Sequence, residues 1–376
     1  MSESTISIAD TPEALTASWL TEALRAAGHL DQASVTEVVQ TPVGTGQMCD
    51  SVRLTLRYDA PTDAPPTVIA KLPAADETSR ATALSLRSYE NEVRFYQQLA
   101  PELPIRTPHV FHADIDVVTA SFILLLEDMA PAGQGDQLLG CSPEVAKVAV
   151  DELVRLHAPR WDDPTLAEME WLHRDRAEGQ QFMLMMLPIF WDGFRERYAA
   201  DLGQVIHQAG DALFADLEAY LTADTEPWSI VHGDYRLDNT MLAPDDLGTV
   251  VAVLDWEMST LGDPLADLGL FLLYWGSPTA QNVATGEPIG TRPGFLSRDE
   301  VVARYAERSG RNVDHLDWYL VFASYKLAII VEGINARIRM GKTLGEGFTE
   351  SDQLVTALVE GALAEANRSS ISALRG

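Results

Sequence analysis

The stretch Ser229–Trp256, SIVHGDYRLDNTMLAPDDLGTVVAVLDW, decides the fold of this chain. It contains two short apolar runs, Ile230–Val231 and Val250–Leu254, each bounded by turn residues. Runs of this kind are typical of buried strands, so we expect two strands here. Acidic or amide side chains follow each strand: Asp234 and Asn239 come after the first, and Asp255 after the second. If the two strands pair, they hold two carboxylates and one amide together, and such oxygen ligands suit Mg²⁺.

The spacing within His232–Asn239 matches a known catalytic pattern. Protein kinases carry H-R-D-x-x-x-x-N and then D-F-G, with the first Asp as base and the Asn and second Asp on metal. Here the residues read H-G-D-Y-R-L-D-N, with Gly233 in place of the kinase Arg. The chain resembles the phosphotransferase family of the aminoglycoside kinases and choline kinases, whose members carry H-G-D-x-x-x-x-N followed by D-W or D-F-E. The resemblance implies that Asp234 is catalytic and that Asn239 and Asp255 bind Mg²⁺.

The segment after Asp255 extends this resemblance. From Trp256 to Leu268 it reads W-E-M-S-T-L-G-D-P-L-A-D-L, which contains the family element G-D-P-x-x-D-L. The form L-D-W-E-x-S-T-L-G-D-P is most similar to the branch of the family that is also found fused to acyl-CoA dehydrogenases. We expect Asp263 to cap a helix that begins at the following proline, and Asp267 to anchor the catalytic loop.

A lysine within an apolar strand is the next informative residue. Thr67–Leu72 reads T-V-I-A-K-L, and burying Lys71 in such a strand is costly unless it is paired. The resemblance implies that this lysine contacts nucleotide phosphates and a glutamate on the next helix. Glu90 and Glu92 are both candidates, and because they point about 200° apart on a helix, only one can face the lysine. We favour Glu92, whose spacing is similar to the family pattern.

The same helix is predicted to bury one face. Its apolar positions follow a helical period and end before Pro101. The predicted buried residues are Leu86, Tyr89, Val93, Tyr96 and Leu99.

Two further segments are candidates for nucleotide binding. Gly44 and Gly46 lie between two predicted strands, where backbone N–H groups can cover phosphates, although a plain hairpin turn also explains them. The apolar strand Ser121–Leu126 leads to Glu127 and Met129. The resemblance implies that this is the linker between two lobes and that its backbone binds the adenine edge.

These motifs define the expected architecture. The resemblance implies an α+β, bilobal, protein-kinase-like fold, with an antiparallel sheet and one helix in the N-terminal lobe and a mainly helical C-terminal lobe. We assign residues 1–126 to a nucleotide-binding lobe with a helical N-terminal extension, and residues 127–376 to a catalytic and acceptor-binding lobe. Ser142 and Pro143 give a helix start signal. Further helices are predicted near residues 298–308, 314–340 and 349–367.

Composition and charge limit the partners. The chain has 376 residues, 46% of them hydrophobic, and a formal net charge of −29. This charge argues against nucleic acid, because phosphate backbones are bound by clustered Lys and Arg. The two cysteines lack a metal or disulfide spacing, no signal-peptide pattern begins the chain, and its apolar runs are shorter than the roughly 18 residues of a membrane span. We expect a cytoplasmic protein without nucleic-acid or membrane partners. The oligomeric state stays open.

The resemblance implies a small-molecule kinase that uses ATP and Mg²⁺ to phosphorylate a substrate hydroxyl. A non-catalytic nucleotide- or ligand-binding protein on a kinase scaffold is the alternative, although no catalytic position is lost. A protein kinase is disfavoured by Gly233 and by the lack of an A-P-E element after Asp255.

The acceptor stays open at this stage. An aminoglycoside suits the acidic composition, because acidic side chains pair with ammonium groups. A hydroxyacyl compound suits the dehydrogenase-linked branch, and four arginines are available for it: Arg195, Arg197, Arg337 and Arg339. A Met- and aromatic-rich segment provides three further pocket candidates: Trp191, Asp192 and Tyr198.

Overall fold

The computed structural model describes seven ranges of the chain: residues 6–44, 48–137, 139–172, 228–244, 248–276, 294–339 and 352–369. Four isolated positions are also described: Met185, Asp192, Glu196 and Asp211. The chain divides into two compact units. The first comprises Met1–Gly133 and Val251–Ser259, and the second comprises Gln134–Val250 and Thr260–Gly376. Asp255 therefore belongs to the first unit.

A five-stranded antiparallel sheet forms the centre of the first unit, in the order β1-β2-β3-β5-β4. Its strands are β1 Val35–Pro42, β2 Cys49–Tyr58, β3 Thr67–Pro73, β4 Val110–Asp116 and β5 Ser121–Glu127. On β2 the alternate residues Val52, Leu54 and Leu56 are buried, as their period of two predicts. In the sheet register Lys71 lies opposite Ser51 on one side and Leu124 on the other. The lysine is thus placed in the interior of the sheet.

Helix α1 (Ala17–Ala26) packs against this sheet. Its N-cap is Thr16, whose hydroxyl accepts from the Trp19 amide at 3.2 Å. Trp19, Leu20 and Leu24 share one hydrophobic core with Leu54 of β2 and Val68 of β3, among others. These residues recur with a helical period, so they form one buried face of α1.

Two helices, rather than the single one expected, follow β3. They are α2 (Glu77–Leu86) and α3 (Ser88–Arg94), and a π-helical turn, Phe95–Leu99, continues α3. Arg87 separates them because its backbone is left-handed, with φ of 56°, which an α-helix cannot accommodate. The predicted burial of Leu86 is therefore wrong, since it ends α2 and is 42% exposed. The other four predicted positions are buried: Tyr89, Val93, Tyr96 and Leu99.

The remaining strands are short: β6 Gly133–Gln134, β7 Ser229–Val231, β8 Thr240–Leu242, β9 Val250–Val253 and β10 Thr260–Gly262. Most of them lie in the second unit, whereas β9 lies mainly in the first. The expected pairing of the two apolar runs is wrong, because β7 pairs antiparallel with β10 rather than with β9. Gly262 supports this pairing: a Cβ there would lie 3.2 Å from Val231 Cγ2, so a larger residue would crowd the strand.

The described helices of the second unit are α4 Pro143–His157, α5 Leu265–Gly276, α6 Arg298–Ser309, α7 Leu316–Arg339 and α8 Asp352–Arg368. The predicted N-cap of α4 is confirmed, since the Ser142 hydroxyl accepts from the Val145 amide at 3.2 Å. Gly269 allows α5 and α7 to pack closely, because a Cβ there would lie 2.9 Å from Tyr319 Cβ. The helices predicted in this part of the chain are confirmed to within a few residues.

The predicted lobe boundary between residues 126 and 127 stays a prediction. The two units meet in sequence after Gly133, and Val251–Ser259 returns to the first unit. Both cysteines are free thiols, with Cys49 buried and Cys141 partly exposed. Within the described ranges, every helix is too short or too polar to cross a membrane.

Candidate active site

Lys71 in the first unit is a buried lysine with two carboxylate partners. Its Nζ donates to Glu92 Oε1 at 2.6 Å and to Asp255 Oδ1 at 2.9 Å. The Glu92 side chain is 2% exposed, whereas that of Asp255 is 48% exposed. Glu90 pairs instead with Arg87 on the helix surface. The structure therefore brings Lys71 together with Glu92, the favoured of the two glutamates, and with Asp255.

Burial and charge act in opposite directions on this cluster. Burial alone lowers the pKa of Lys71, but Asp255, Cys49 and Glu92 raise that pKa well above its ordinary value. Burial raises the pKa of Glu92, and Lys71 opposes this shift. Burial also raises the pKa of the Cys49 thiol to about 12, so this cysteine is an unreactive core residue. The lysine is a cation at neutral pH beside a solvent-facing carboxylate.

The segment that carries Asp255 is held by the helix that carries Glu92. The backbone of Asp255 is left-handed, with φ of 61°, a conformation that a non-glycine residue adopts only when its surroundings impose it. The Trp256 ring stacks on Phe95 with centroids 3.7 Å apart and planes 7° apart. Asn91 Nδ2 donates to the Glu257 carbonyl at 3.1 Å.

Asn91 and Phe95 were not predicted from the sequence as site residues. Asn91 is 1% exposed, and a buried amide next to a predicted ion-pair residue is a signal that could have singled it out. Phe95 carries no comparable signal, because a buried aromatic residue on a helix is ordinary core material.

The glycine turn is described only in part. Gly44 has φ of +76°, a backbone conformation that favours glycine, while Gly46 lies outside the described residues. Beyond the turn, the Met48 carbonyl accepts from Tyr89 Oη at 2.6 Å, and the same Oη accepts from the Ala74 amide at 3.1 Å. Helix α3 thus ties down the start of β2 as well as the segment after β9.

The predicted linker is held in place by an ion pair. Asp128 lies between Glu127 and Met129, and it accepts two hydrogen bonds from Arg53, at 2.7 and 3.0 Å. Burial opposes ionisation of Asp128, but the hydrogen bond from Arg53 holds its pKa below the ordinary value. The Glu127 amide donates to the His109 carbonyl at 2.8 Å. The path of this backbone is therefore set, and its contact with adenine stays a prediction.

In the second unit, the loop between β7 and β8 brings Asp234 and Asn239 together. Asn239 Nδ2 donates to the Asp234 carbonyl at 2.8 Å and to Asp234 Oδ2 at 3.1 Å. Both acceptors are oxygens, so the amide nitrogen faces Asp234 and Asn239 Oδ1 keeps its capacity to bind a cation. Asn239 is 3% exposed, and the Asp234 side chain is 33% exposed. Asp234 can therefore be reached by a substrate while Asn239 holds its orientation.

Asp267 anchors this loop, as predicted. Its Oδ2 accepts from the His232 amide at 2.6 Å and its Oδ1 from the Gly233 amide at 2.8 Å. His157 Nε2 lies 3.2 Å from the same carboxylate, and His157 Nδ1 lies 2.8 Å from Tyr305 Oη. Burial opposes ionisation of Asp267, but the hydrogen bond from His157 and the loop amides lower its pKa. His157 is fully buried, and its two ring nitrogens contact Asp267 and Tyr305, so its role is structural.

Asp263 caps the start of α5, as predicted. Its Oδ1 accepts from the Leu265 amide at 2.8 Å. Burial raises the pKa of Asp263 to about 6, although the amide it accepts from acts in the opposite direction. Above about pH 6 the carboxylate form is therefore held at this position at some cost in stability.

The acceptor candidates are mostly outside the described residues. Trp191, Tyr198, Arg195 and Arg197 all fall there, and Asp192 is described only as an isolated position. Arg339 is described, and it pairs with Glu332 at 2.6 Å.

The predicted metal ligands have the donor chemistry that Mg²⁺ prefers. Asp255 offers a solvent-facing carboxylate and Asn239 offers an amide oxygen, and both are hard oxygen donors. Within the part of the chain that the structure describes, no three His, Cys, Asp or Glu side chains are grouped to hold a metal ion.

The sequence of the chain matches a known enzyme family. A model of the family described as "Phosphotransferase enzyme family" matches residues 57–306. Acyl-CoA dehydrogenase family member 11 of Rattus norvegicus is 34% identical over 173 residues, which cover 45% of this chain and 21% of that protein. The Gallus gallus protein of the same name is 32% identical over 160 residues, 41% of this chain and 20% of that protein. The match therefore spans about a fifth of these relatives, and the predicted likeness to a branch linked to acyl-CoA dehydrogenases is confirmed.

Solved structures confirm the predicted fold. A Ralstonia eutropha protein, provisionally described as an aminoglycoside phosphotransferase, superposes with a TM-score of 0.61 at 21% identity, covering 93% of this chain and 99% of that one. A mutant of aminoglycoside 2′-phosphotransferase-IIIa bound to GDP gives 0.52 at 11% identity, covering 89% and 93%. At these identities the likeness concerns the α+β kinase-like fold alone.

Proposed function

Because the chain belongs to the phosphotransferase enzyme family, we propose that it is a small-molecule kinase that transfers the γ-phosphate of ATP to a hydroxyl group. The observation that carries this proposal is the buried Lys71 held by Glu92 beside the exposed Asp255. A buried lysine that is charged at neutral pH, with one structural and one solvent-facing carboxylate, suits the binding of a metal-bound polyphosphate. We place this activity in the cytoplasm, with ATP and an alcohol as partners and no nucleic acid.

On the nucleotide side, each predicted residue has a separate role. Lys71 binds the α- and β-phosphates, and Glu92 keeps its Nζ in place. The backbone around Gly44 and Gly46 covers the phosphates, and the backbone from Glu127 to Met129 binds the adenine edge. The Arg53–Asp128 pair supports the last role, because it fixes the side chain in the middle of the linker.

Asp255 and Asn239 are the proposed ligands of Mg²⁺. Held by these two residues, Mg²⁺ would supply positive charge against the negative charge that develops on the phosphates during transfer. The left-handed backbone of Asp255 and the hydrogen bonds of Asn239 Nδ2 orient the two oxygen donors before any ligand arrives. Orientation in advance lowers the cost of binding.

Asp234 is the proposed catalytic residue. It accepts the proton of the acceptor hydroxyl as the new oxygen–phosphorus bond forms and the bond between the γ-phosphorus and ADP breaks. The bond from Asn239 Nδ2 orients the carboxylate, and Asp267 holds the loop through two backbone amides. His232 supports the loop rather than carrying a proton: its backbone amide donates to Asp267, and its Nδ1 accepts from the Asp234 amide at 3.3 Å.

Two acceptor classes remain within this proposal. The solved structures that share the fold include aminoglycoside phosphotransferases, and the net charge of −29 suits a cationic acceptor. The relatives of highest identity quoted above are named as acyl-CoA dehydrogenases, which suits a hydroxyacyl acceptor. The chain does not favour one of these classes over the other.

The test is a comparison of acceptors with the purified full chain. ADP release is followed with ATP and Mg²⁺ in the presence of aminoglycosides, hydroxyacyl-CoA compounds and simple alcohols in turn, and products are examined by mass spectrometry. We expect Mg²⁺-dependent ADP release with one class of acceptor and a product heavier by one phosphoryl group. Tight nucleotide binding with no turnover on any alcohol would support the non-catalytic alternative instead.

A further inference from the structure

A short segment of the second unit packs directly on the turn that carries Asn239. We call Gln134–Gln137 the bracing segment. The turn is Leu237–Asn239, a single 3₁₀ turn that leads into β8. Three of the four residues of the bracing segment make hydrogen bonds to it or to Thr240.

Gly135 allows the two backbones to approach. Its amide donates to the Thr240 carbonyl at 2.9 Å. A Cβ at this position would lie 2.3 Å from the Leu237 carbonyl oxygen and 2.8 Å from Thr240 Oγ1. The first distance is far inside van der Waals contact and involves backbone, so any larger residue would push the turn away.

Gln137 holds the turn through its side chain and through its backbone N–H. Its side-chain Oε1 accepts from the Leu237 amide at 2.7 Å, and its own amide donates to Asp238 Oδ1 at 2.7 Å. Gln134 Nε2 adds a bond to the Asp238 carbonyl at 2.5 Å. The Leu237 amide is one of the N–H groups that open a helical turn and have no partner within it. Gln137, which is 1% exposed, supplies that partner.

Of the two polar atoms in the Gln137 side chain, only Oε1 makes a hydrogen bond among the described residues. In the described part of the chain, Gln137 Nε2 is buried and makes no hydrogen bond. The glutamine is therefore held by its acceptor, and the acceptor is the atom that matters for the turn.

We propose that Gln137 is a positioning residue for phosphoryl transfer. It acts through the Leu237–Asn239 turn on the position of the side-chain oxygen Oδ1 of Asn239. The inference rests on the proposed function, in which Asn239 binds Mg²⁺. Asn239 Nδ2 also donates to Asp234, so the position of the turn determines the positions of both the metal ligand and the base. Residues behind metal ligands typically change metal affinity or activity by about 10–100-fold when they are replaced.

The test compares two substitutions at Gln137 that differ in the acceptor. Gln137→Met keeps the length and loses the strong acceptor, while Gln137→Glu keeps an oxygen acceptor and replaces the unpartnered amide nitrogen by a second oxygen, at the cost of a buried charge. Ser297→Ala is the matched control, because it removes the N-cap of α6 and lowers stability in the same unit at a residue outside the proposed site. Two quantities are measured by calorimetry and turnover: the affinity for ADP with and without Mg²⁺, and the Mg²⁺ concentration for half-maximal activity.

We expect Gln137→Met to lose about 10–100-fold of the Mg²⁺-dependent gain in ADP affinity, with the Mg²⁺-free affinity close to that of the wild type. Gln137→Glu restores most of the loss, and Ser297→Ala changes only the unfolding midpoint. If Gln137→Met lowers the unfolding midpoint but leaves the Mg²⁺ dependence unchanged, the glutamine is merely structural and the inference is wrong.

A second variant covers the case in which Gln137→Met does not fold. Asp238→Ala removes the surface partner of the Gln137 amide, and its side chain is 35% exposed, so the fold should tolerate it. We expect a smaller shift of the Mg²⁺ dependence in the same direction, and no shift would overturn the inference. If the wild type itself shows no Mg²⁺-dependent nucleotide binding, the proposed function has failed rather than this inference alone.

Discussion

Lys71 and Glu92 form a buried ion pair, with Nζ 2.6 Å from Oε1 and the glutamate side chain only 2% exposed. Lys71→Met leaves Glu92 as an uncompensated buried charge, so we expect a loss of about 3–5 kcal/mol in the free energy of unfolding. The double variant Lys71→Met/Glu92→Leu regains most of that stability. Urea unfolding measures both, and neither variant should turn over ATP.

Arg87→Met is the matched control for this comparison. It breaks an ion pair with Glu90 on the same helix, where the arginine side chain is 40% exposed. Such surface pairs contribute about 0–1 kcal/mol. Equal losses in Lys71→Met and Arg87→Met would contradict the account of Lys71 as a lysine held by a buried partner.

Asp267→Asn tests how the catalytic loop is anchored. The carboxylate accepts from the His232 and Gly233 amides, one on each oxygen, and from His157. Asparagine has one oxygen in place of two, so the donor or donors to the other carboxylate oxygen face an NH₂ group and lose their acceptor. We expect about 1–3 kcal/mol less stability and a large fall in kcat. Thermal unfolding and turnover check the two effects.

The comparison variant for Asp267→Asn is Asp76→Asn. Asp76 caps α2 through a bond from the Ser79 amide, and asparagine makes the same cap. Normal kcat in Asp267→Asn, as expected for Asp76→Asn, would show that the loop does not depend on this carboxylate.

The raised pKa of Asp263 predicts that its contribution to stability falls as the pH rises, which is the reverse of the usual effect of a carboxyl group. Burial raises its pKa to about 6 in the folded chain, above the ordinary value of about 3.9 in the unfolded chain. The folded state therefore binds the proton more tightly, and this contribution is complete below about pH 4 and lost as the pH rises through 6. At pH 7.5 the charged carboxylate costs about 1–3 kcal/mol.

Asp263→Asn removes this cost while keeping an oxygen for the Leu265 amide. We expect the variant to be more stable than the wild type at pH 7.5 and similar to it near pH 4, as followed by thermal unfolding at several pH values. At Asp76 the hydrogen bond from the Ser79 backbone amide lowers the pKa of the carboxyl group. Asp76→Asn should therefore lose stability relative to the wild type as the pH rises, which is the opposite direction. A difference between Asp263→Asn and the wild type that does not vary with pH would contradict the assignment.

Local patterns in the sequence predicted the parts of the site that local chemistry determines. A lysine in an apolar strand needs a partner, which led to Glu92, and the serine–proline start signal led to the N-cap at Ser142. The spacing of Asp234 and Asn239 led to two side chains that are in contact. In each case the chemistry of the residues in the motif is enough to require the contact.

The features that the sequence did not predict depend on contacts between distant segments or on one unusual backbone angle. Leu86 is exposed because Arg87 is left-handed, which no periodicity indicates. Strand β7 pairs with β10 because Gly262 leaves room for the side chain of Val231. Gln137 accepts a hydrogen bond from the Leu237 amide, which lies 100 residues further along the chain. No sequence pattern around a glutamine indicates such a distant contact.

In the proposed function, Asp234 is the base for transfer of a phosphoryl group from ATP to an alcohol. The most direct measurement compares the wild type with Asp234→Ala for ADP release with the best acceptor and for ADP binding by calorimetry. We predict that the variant loses ATP-dependent phosphorylation of the acceptor while its affinity for nucleotide is retained, and that chelation of Mg²⁺ stops turnover in the wild type. Near-normal turnover in Asp234→Ala would contradict the account.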